Sequence, residues 1–372
     1  MEGTHQTRLN HTRRQMTNKG CDAFLVLIEE NRRYLSGFTG EDHQFDETAG
    51  ALFITSDAQV LVTDTRFETQ ARNEAPGYRT VIYREGVFKC IAGLAGELNV
   101  KHLGFEGARL SVRQHGQMKE AFTSAGLEVT FTAVDNLVEA LRQIKSAAEI
   151  ENTKQALALA EAAFIKTVKT MRPGMTEKQV AWDLERGMRE AGADAICFPV
   201  IVAAGPNSAL PHAIPSDRPI QAGEPILFDW GARLNGYCSD TSRTVIIGPP
   251  DDMFLNVHHT VLEAQQHAIA AIKSGVDGKA VDAVARDYIH QNGYAGKFGH
   301  GLGHGTGLAV HEAPRLSPIR NCMLQRGMIV TVEPGIYLPE WGGVRIEHQV
   351  VVQDPESLVL NRLSTTYDIT QL

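Results

Sequence analysis

The sequence predicts an α+β protein of two domains. We expect a smaller mixed α/β domain over residues 1–140 and a larger domain over residues 141–372, in which helices cover an antiparallel sheet. Strand-like and helix-like segments alternate in the first part of the chain, whereas the second part opens with long helices and is rich in strands after them. A charged, helix-prone stretch over residues 138–151 separates the two patterns and marks the expected boundary.

The first domain is predicted from short apolar segments that alternate with amphipathic ones. An amphipathic helix opens the chain, and a hairpin further on turns at Ser56 and Asp57. The basic residues expected on a solvated face of the first helix are Arg8, Arg13, Arg14 and Lys19. The predicted strands cover residues 21–29, 51–54, 60–63, 79–83 and 103–106, and a further helix covers residues 67–75.

The second domain begins with a long helix that should stop at the Arg-Pro-Gly sequence of residues 172–174. Thr176 is the expected N-cap of the next helix, and Gln179 would close a capping box. The predicted inward stripe of that helix is Val180, Leu184, Met188 and Ala191. Two further helices are predicted over residues 252–273 and 279–291, with strands over residues 196–203, 225–247 as a hairpin, 328–333 and 344–352.

The composition excludes several classes of protein. A formal net charge of −8 argues against a nucleic-acid partner, because such proteins carry a basic domain or stripe. The five cysteines are scattered without a CxxC pair, which favours neither a zinc ribbon nor a disulfide framework and fits a reducing compartment. The sequence offers no apolar run of membrane-spanning length and no apolar signal core. We therefore expect a cytoplasmic protein without a membrane partner.

The hairpin of residues 225–247 is the first candidate for chemistry. Its Asn235-Gly236 pair suits a two-residue turn with two positive φ angles. That turn sets Gly231 opposite Asp240 and brings Asp229 within one diagonal step, with space expected beside Asp240 because glycine has no side chain. Two carboxylates on one apolar hairpin repel each other unless protons or cations lie between them. The alternative is an exposed hairpin face with two solvated aspartates.

A glycine-rich segment carries His300, His304 and His311 within twelve residues. It does not match the dinucleotide fingerprint or the phosphate loop, and Pro314 excludes the helix of a zincin motif. The interleaved glycines allow the backbone to approach other segments closely. A glycine-rich turn capped by histidines is the alternative interpretation.

Two glutamates, Glu333 and Glu347, stand within apolar strand-like runs, where a carboxylate is costly unless it is compensated. Arg345 shares the face of Glu347 and could pair with one acid. One arginine cannot neutralise four carboxylates, whereas two divalent cations could, with His304 as a nitrogen ligand. Carboxylates with one imidazole suit Mn, Co, Fe or Zn better than Cu(I).

The second half of the chain resembles the pita-bread metallopeptidases, the family of methionine aminopeptidase, aminopeptidase P and prolidase. The resemblance covers about residues 150–365 and rests on five motifs in order: PHAIPSDR, FDWGA with GYCSD, GHGLGHGTGLAVHE, VEPGIY and VRIEH. The first half is similar to the creatinase/prolidase-type N-terminal domain and includes VTDTRFETQA. This layout favours the Xaa-Pro peptidases, because methionine aminopeptidases lack such a domain.

The resemblance implies a role for each motif residue. The implied ligands of two metal ions are Asp229, Asp240, His304, Glu333 and Glu347, with Asp240 and Glu347 bridging. The implied catalytic residues are His212, His311 and Glu333, and the implied substrate-binding residues are His212, His300, His311 and Arg345. The chain departs from the family pattern at Ser242, where threonine is usual, and at His348, where aspartate is frequent. No role is assigned to His348.

The implied activity is hydrolysis of the bond between an N-terminal residue and proline by a dinuclear-metal Xaa-Pro aminopeptidase. A prolidase that acts only on dipeptides is the alternative. The resemblance also implies small proline-containing peptides as substrates, a homodimer, and Mn²⁺ as the favoured ion, with Co²⁺, Zn²⁺ and Fe²⁺ as others. Two rivals from other classes are a binding protein without hydrolysis and a creatine-type C–N hydrolase without metal, and both are disfavoured by the complete ligand set.

Overall fold

The computed structural model describes residues 2–372, leaving aside the side chains of residues 2 and 3. Its contacts divide the chain into two compact units, Met1–Arg142 and Gln143–Leu372. Within the described residues, no helix combines the length and the apolar character that a membrane span requires.

The first unit is built on a six-stranded mixed sheet in the order β4-β3-β2-β1-β5-β6. The antiparallel β2–β3 hairpin of the prediction is confirmed, and β5 continues the sheet parallel to β1. The strands are β1 (Ala23–Val26), β2 (Ala51–Thr55), β3 (Gln59–Thr63), β4 (Arg79–Ile82), β5 (His102–Phe105) and β6 (Thr130–Ala133). The helices are α1 (Glu2–Asn18), α2 (Glu29–Ser36), α3 (Glu68–Glu74), α4 (Val87–Glu97), α5 (Val112–Ser124) and α6 (Glu139–Arg142).

The basic residues of α1 do not all face solvent, so that prediction is wrong in part. The guanidinium of Arg8 lies 3.8 Å from the ring centre of Tyr34 and donates to the carbonyl of that residue. Arg13 donates to the carbonyl of Thr55 over 2.8 Å. Arg14 and Lys19 are exposed as expected. Two of the four cations therefore fasten the helix to the rest of the unit.

The second unit combines long helices with short antiparallel sheets, as predicted. Its sheets have the strand orders β11-β10-β7, β12-β9-β8, β14-β13-β15-β18-β19 and β16-β17. The helices are α7 (Ala147–Thr170), α8 (Glu177–Glu190), α9 (Asp252–Ala271) and α10 (Gly278–Ile289). The first strands are β7 (Ala195–Ile196), β8 (Ile201–Ala204), β9 (Ile226–Trp230), β10 (Ala232–Leu234), β11 (Tyr237–Cys238) and β12 (Thr241–Val245). The later strands are β13 (Gly303–Gly305), β14 (Glu312–Leu316), β15 (Ile329–Val332), β16 (Gly335–Leu338), β17 (Gly342–Arg345), β18 (His348–Val351) and β19 (Leu358–Val359).

The predicted capping box and most of the predicted apolar stripe of α8 are present, and an aromatic contact packs α7 against β9. The capping box between Thr176 and Gln179 is present. The stripe of α8 is buried at Val180, Leu184 and Met188 but exposed at Ala191, where the helix ends. In α7, the ring of Phe164 stacks on Trp230 of β9 at 4.3 Å. Aromatic packing thus fixes α7 against the strand that carries Asp229.

The central hairpin has the predicted register. Leu234 pairs with Tyr237, and Asp229 pairs with Ser242 further along. Asn235 and Gly236 have φ angles of 52° and 83°, as the two-residue turn requires. The prediction that Gly231 leaves open space beside Asp240 is wrong, because the neighbouring backbone fills that space.

A Cβ atom on Gly231 would lie 2.0 Å from the carbonyl oxygen of Ser239 and 3.0 Å from the ring of Phe198. Glycine is required at this position because the backbone of the neighbouring strand approaches it closely.

Two segments predicted as single strands are each broken into two. Residues 195–204 divide into β7, which pairs with β10, and β8, which pairs with β9. Residues 342–351 divide into β17, which pairs with β16, and β18, which pairs with β15. The chain leaves one sheet for another at each break, and Glu347 lies in the second break.

Candidate metal centre

Four of the five predicted ligands lie where a strand ladder is interrupted. Asp240 precedes β12, Glu333 follows β15, and Glu347 lies between β17 and β18. His304 lies in β13, where the register shifts before the next residue. The fifth, Asp229, lies within β9. Backbone that leaves a ladder can turn its side chains towards a common point, which a regular strand cannot do with consecutive residues.

The structure brings these side chains together around one cavity of about 700 Å³. Ligand atoms of Asp240, His304 and Glu347 all lie within 4.8 Å of one another. His304 Nε2 lies 3.5 Å from Asp240 Oδ2 and 3.4 Å from Glu333 Oε1. The other predicted site residues that line the cavity are Asp229, His212, His300, His311 and Arg345.

His304 presents a lone pair to these carboxylates. Its Nδ1 lies 3.1 Å from the carbonyl oxygen of Gly305, which can only accept, so the ring proton is on Nδ1. Burial, followed by the charge of His311, lowers the pKa of His304 to about 3, so the ring is neutral. When the carboxyl groups are ionised, Nε2 is an acceptor that faces two further acceptors, so a proton or a cation must lie between them.

Burial and mutual repulsion both disfavour the charged forms of these carboxyl groups. Burial raises the pKa of Asp240 and of Glu347 well above the usual range, and the charges of neighbouring carboxylates raise both further. Burial also raises the pKa of Glu333 to about 7 and raises that of Asp229, against the lowering effect of Arg345 on both. A divalent cation among these oxygens would remove the repulsion that a metal-free protein relieves by binding protons.

Only one cation of the chain makes an ion pair with the acids of this cluster, among the residues that the structure describes. Arg345 Nη2 lies 2.7 Å from Asp229 Oδ2, and the second oxygen of Asp229 is buried without a partner. This arginine also donates from Nε to the hydroxyl of Ser242, which donates in turn to Glu347. The donor set of four carboxylates and one imidazole therefore fits divalent ions, as the sequence predicts.

A second branch from Arg345 reaches His300. Arg345 Nη1 donates to the hydroxyl of Tyr337 over 2.9 Å. His300 Nδ1 donates to the carbonyl of Gly301, so its Nε2 accepts from the Tyr337 hydroxyl over 2.9 Å. Both ring nitrogens of His300 are thus occupied, and burial lowers its pKa to about 4.

His212 and His311 line the cavity with exposed rings. Neither imidazole makes a hydrogen bond to any residue of the described chain. The ring of His311 meets that of His304 edge to face, with centres 4.3 Å apart. Both imidazoles are therefore available to a molecule that enters the cavity.

The glycines of the histidine-rich segment are required by close backbone approach. A Cβ at Gly303 would lie 1.9 Å from the carbonyl oxygen of Thr331, and one at Gly305 would lie 2.2 Å from that of Ala313. The segment contains strand β13 between β14 and β15, so the alternative of a plain turn is wrong.

His348 lies behind Glu347. Arg243 Nη2 donates to His348 Nε2 over 3.0 Å, and Nη1 of the same arginine donates to the carbonyl of Glu347 over 2.6 Å. Burial and the charge of Arg243 lower the pKa of His348 well below its usual value. A neutral histidine at position 348 thus accepts a hydrogen bond from Arg243.

Sequence reasoning missed three residues that the structure brings to the site. Arg315 lines the cavity and lies directly opposite His304 in the β13–β14 ladder. Tyr337 joins Arg345 to His300, and Gln265 of α9 donates hydrogen bonds to the carbonyls of Val332 and Ile346. A polar residue within the apolar stripe of α9 was a signal for Gln265, but no local pattern indicated Arg315.

The sequence matches the models of two known domain families, and one of them is a family of metallopeptidases. The model of Metallopeptidase family M24 matches residues 151–354, and that of the Creatinase/Prolidase N-terminal domain matches residues 8–144. The chain belongs to metallopeptidase family M24. This membership confirms the family that the motifs predicted, the pita-bread metallopeptidases of the Xaa-Pro peptidase type, and with it the fold class.

Among M24 relatives, an uncharacterized peptidase of Bacillus subtilis is 38% identical over 93% of this chain and 95% of its own. A Xaa-Pro dipeptidase of Pyrococcus furiosus is 39% identical over 69% of this chain and 72% of its own. The solved structure of a Xaa-Pro dipeptidase from Bacillus anthracis has a TM-score of 0.91 at 38% identity and covers 97% of this chain and 99% of that one. An X-Pro aminopeptidase structure from Thermotoga maritima has a TM-score of 0.85 at 38% identity, with coverage of 95% and 99%.

Proposed function

We propose that this M24 protein is a Xaa-Pro dipeptidase that holds two divalent metal ions, with Mn²⁺ as the preferred ion. The sequence motifs alone favour the aminopeptidase, with the dipeptidase as the alternative. The relatives shift that balance, because the Pyrococcus furiosus relative and the Bacillus anthracis structure are both named Xaa-Pro dipeptidases, whereas the Thermotoga maritima structure is named an aminopeptidase.

One observation carries the metal-dependent activity: the Nε2 lone pair of His304 lies 3.5 Å from a carboxyl oxygen of Asp240 and 3.4 Å from one of Glu333, within a cluster of four acids that has Arg345 as its one ion-paired cation among the described residues. In this proposal the two ions would be held by the side chains of Asp229, Asp240, His304, Glu333 and Glu347, all of which line the cavity. When bound, such ions lower the pKa of water towards neutrality and polarise the scissile carbonyl.

Glu333 is the proposed proton carrier. Its Oε1 accepts from the hydroxyl of Thr331 at 3.2 Å, which leaves Oε2 to take a proton from the attacking water. The same oxygen then delivers that proton to the proline nitrogen as the C–N bond breaks.

His311 and His212 orient the substrate in this proposal. Their exposed rings can donate hydrogen bonds to the carbonyl before proline, where negative charge develops during attack. Arg345 and His300 hold the wall of the cavity through Tyr337. An Xaa-Pro bond has no N–H group, so the site needs no acceptor for one.

Arg315 supports the choice of dipeptides. It lies opposite His304 in the ladder, so the two side chains lie on one face with Cβ atoms about 5 Å apart. Its guanidinium makes no ion pair with the described part of the chain, and it lines the same cavity. The carboxylate of a C-terminal proline beside the metal ions could pair with this cation, whereas a longer peptide has no carboxylate there.

The proposal assigns catalysis to residues 141–372 and treats residues 1–140 as the N-terminal domain. The homodimer, the cytoplasmic location and the absence of a nucleic-acid or membrane partner stay predictions from the sequence. Small proline-containing peptides are the proposed substrates.

A side-by-side assay of Ala-Pro and Ala-Pro-Ala with Mn²⁺ tests the proposal. We expect kcat/KM for Ala-Pro to exceed that for Ala-Pro-Ala by about 100-fold, because the longer peptide lacks the charge-assisted contact. Equal or faster cleavage of Ala-Pro-Ala would establish the aminopeptidase instead. Chelation should abolish turnover and Mn²⁺ should restore it, and a metal-loaded protein that cleaves neither peptide would be a binding protein.

A further inference from the structure

The β15–β18 ladder opens at the two glutamates of the metal centre. Val332 and His348 form the last pair, so Glu333 and Glu347 would face each other next. Their backbone amides donate elsewhere instead. Glu333 N donates to the carbonyl of Leu302 over 2.8 Å, and Glu347 N donates to the carbonyl of Ser242 over 3.1 Å. The two strands therefore separate at this point.

The side chain of Gln265 joins the two strands across this opening. Its Nε2 donates to the carbonyl of Val332 over 3.0 Å and to the carbonyl of Ile346 over 2.9 Å. These are the residues immediately before Glu333 and Glu347. Because both carbonyls can only accept, the NH₂ group must face the strands, and the orientation of the amide is fixed.

Each peptide unit that precedes a glutamate is consequently held at both ends. The 332–333 unit is held by Gln265 at its oxygen and by Leu302 at its nitrogen. The 346–347 unit is held by Gln265 at its oxygen and by Ser242 at its nitrogen. A planar peptide unit held at both ends has little freedom, so the Cα atoms of both glutamates are fixed relative to each other.

We propose that Gln265 is a positioning residue that sets the separation of the Glu333 and Glu347 carboxylates, and thereby the affinity for the metal ions and the rate at saturating metal. The inference rests on the proposed function, since it takes both glutamates as metal ligands. Gln265 is not among the residues that line the cavity of the metal centre, so it would act through the backbone of the two glutamates.

The burial of Gln265 favours this role over simple packing. The side chain is fully buried on an α9 face whose neighbours in the core include Val261, Ala264 and Ala268. Its Oε1 is buried without a partner in the described chain. An unpaired buried oxygen is costly, and an apolar side chain of the same length would avoid that cost. The two donated hydrogen bonds are what glutamine supplies and an apolar residue cannot.

The test compares Gln265→Met with Gln266→Met. The first removes both donors at nearly constant volume, and the second makes the same chemical change at the next position, which is exposed. Calorimetric titration of the metal-free proteins with Mn²⁺ should show at least one ion bound about 10-fold more weakly by Gln265→Met, a loss typical of residues that orient metal ligands. The kcat for Ala-Pro at saturating Mn²⁺ should fall while KM stays near the wild-type value. Gln266→Met should match the wild type throughout.

A merely structural role would lower the unfolding temperature of Gln265→Met but leave its Mn²⁺ affinities and kcat unchanged, and that result would overturn the proposal. If the wild type itself failed to bind Mn²⁺, the proposed function would fail instead. If Gln265→Met did not fold, a crystal structure of the wild type with Mn²⁺ would decide. Gln265 Nε2 should then remain within about 3.2 Å of both carbonyls, and an amide turned away from either would overturn the proposal.

Discussion

The hydroxyl of Ser242 donates a hydrogen bond of 2.7 Å to the carboxylate of Glu347 and accepts one of 2.8 Å from Arg345 Nε. Ser242 is fully buried and pairs with Asp229 in the β9–β12 ladder. One hydroxyl thus links the guanidinium of Arg345 to the carboxylate of Glu347. Serine at this position supplies the one hydroxyl that makes both bonds.

Replacement of Ser242 by alanine should weaken the metal centre. The change leaves Glu347 without its donor and Arg345 Nε without its acceptor, and hydrogen bonds to charged groups contribute about 1.5–3 kcal/mol. We expect Mn²⁺ affinity and kcat/KM for Ala-Pro to fall by about 10- to 100-fold, as measured by calorimetry and steady-state kinetics. Ser242→Thr keeps the hydroxyl and should retain most of the activity. An alanine variant with wild-type metal affinity would contradict the role of this hydroxyl.

Replacement of Glu333 by glutamine should nearly abolish turnover. The amide cannot take the proton at Oε2, and a positioned general base contributes about 10²- to 10⁴-fold in rate. The kcat for Ala-Pro should fall by at least that factor in a folded protein, as checked by circular dichroism. Glu120→Gln, the same change on an exposed position of α5, is the control. A kcat within threefold of the wild type would exclude Glu333 as the proton carrier.

Replacement of Arg315 by glutamine should impair the cleavage of dipeptides more than the cleavage of longer peptides. If the guanidinium pairs with the carboxylate of proline, KM for Ala-Pro should rise by about 10-fold or more, with a smaller effect on slow cleavage of Ala-Pro-Ala. Arg320→Gln serves as a control, since Arg320 lines the same cavity but is not paired with His304. An equal loss on both peptides would mean that Arg315 supports the site without recognising the carboxylate.

Binding of Mn²⁺ should release protons. Burial raises the pKa of Asp240 and Glu347 well above the usual range and that of Glu333 to about 7, so the metal-free centre holds protons at weakly acidic pH. A raised pKa means that protons compete with the ion up to higher pH, so apparent affinity should rise from about pH 5.5 to about pH 7.5. Calorimetry at about pH 6.5 in buffers of different ionisation enthalpy measures the release. A binding enthalpy independent of the buffer would contradict the protonated state of these acids.

The sequence predicts those parts of the site that local chemistry determines. The Asn235-Gly236 turn defines the hairpin register, which pairs Asp229 with Ser242. The acids at positions 333 and 347 stand out because their neighbours are apolar. The sequence cannot predict where a strand changes sheets, because the apolar pattern of residues 342–352 continues through the break at Glu347.

Most features that the sequence did not predict depend on contacts between segments that are distant along the chain. Gly231 is required by the carbonyl of Ser239, and Arg13 of α1 docks on Thr55, 42 residues away. Arg315 reaches the site only because β14 pairs with β13. These features depend on tertiary packing and leave no periodic signal in the chain.

The central claim is that these acids and His304 together hold two divalent ions. Anomalous diffraction at the manganese edge, from crystals of the wild-type protein grown with Mn²⁺, tests it most directly. We predict two anomalous peaks in the cavity, each in contact with Asp240 and Glu347. Asp229 should contact one of these peaks, and His304 and Glu333 should contact the other. Crystals in which these side chains enclose no anomalous peak would contradict the claim.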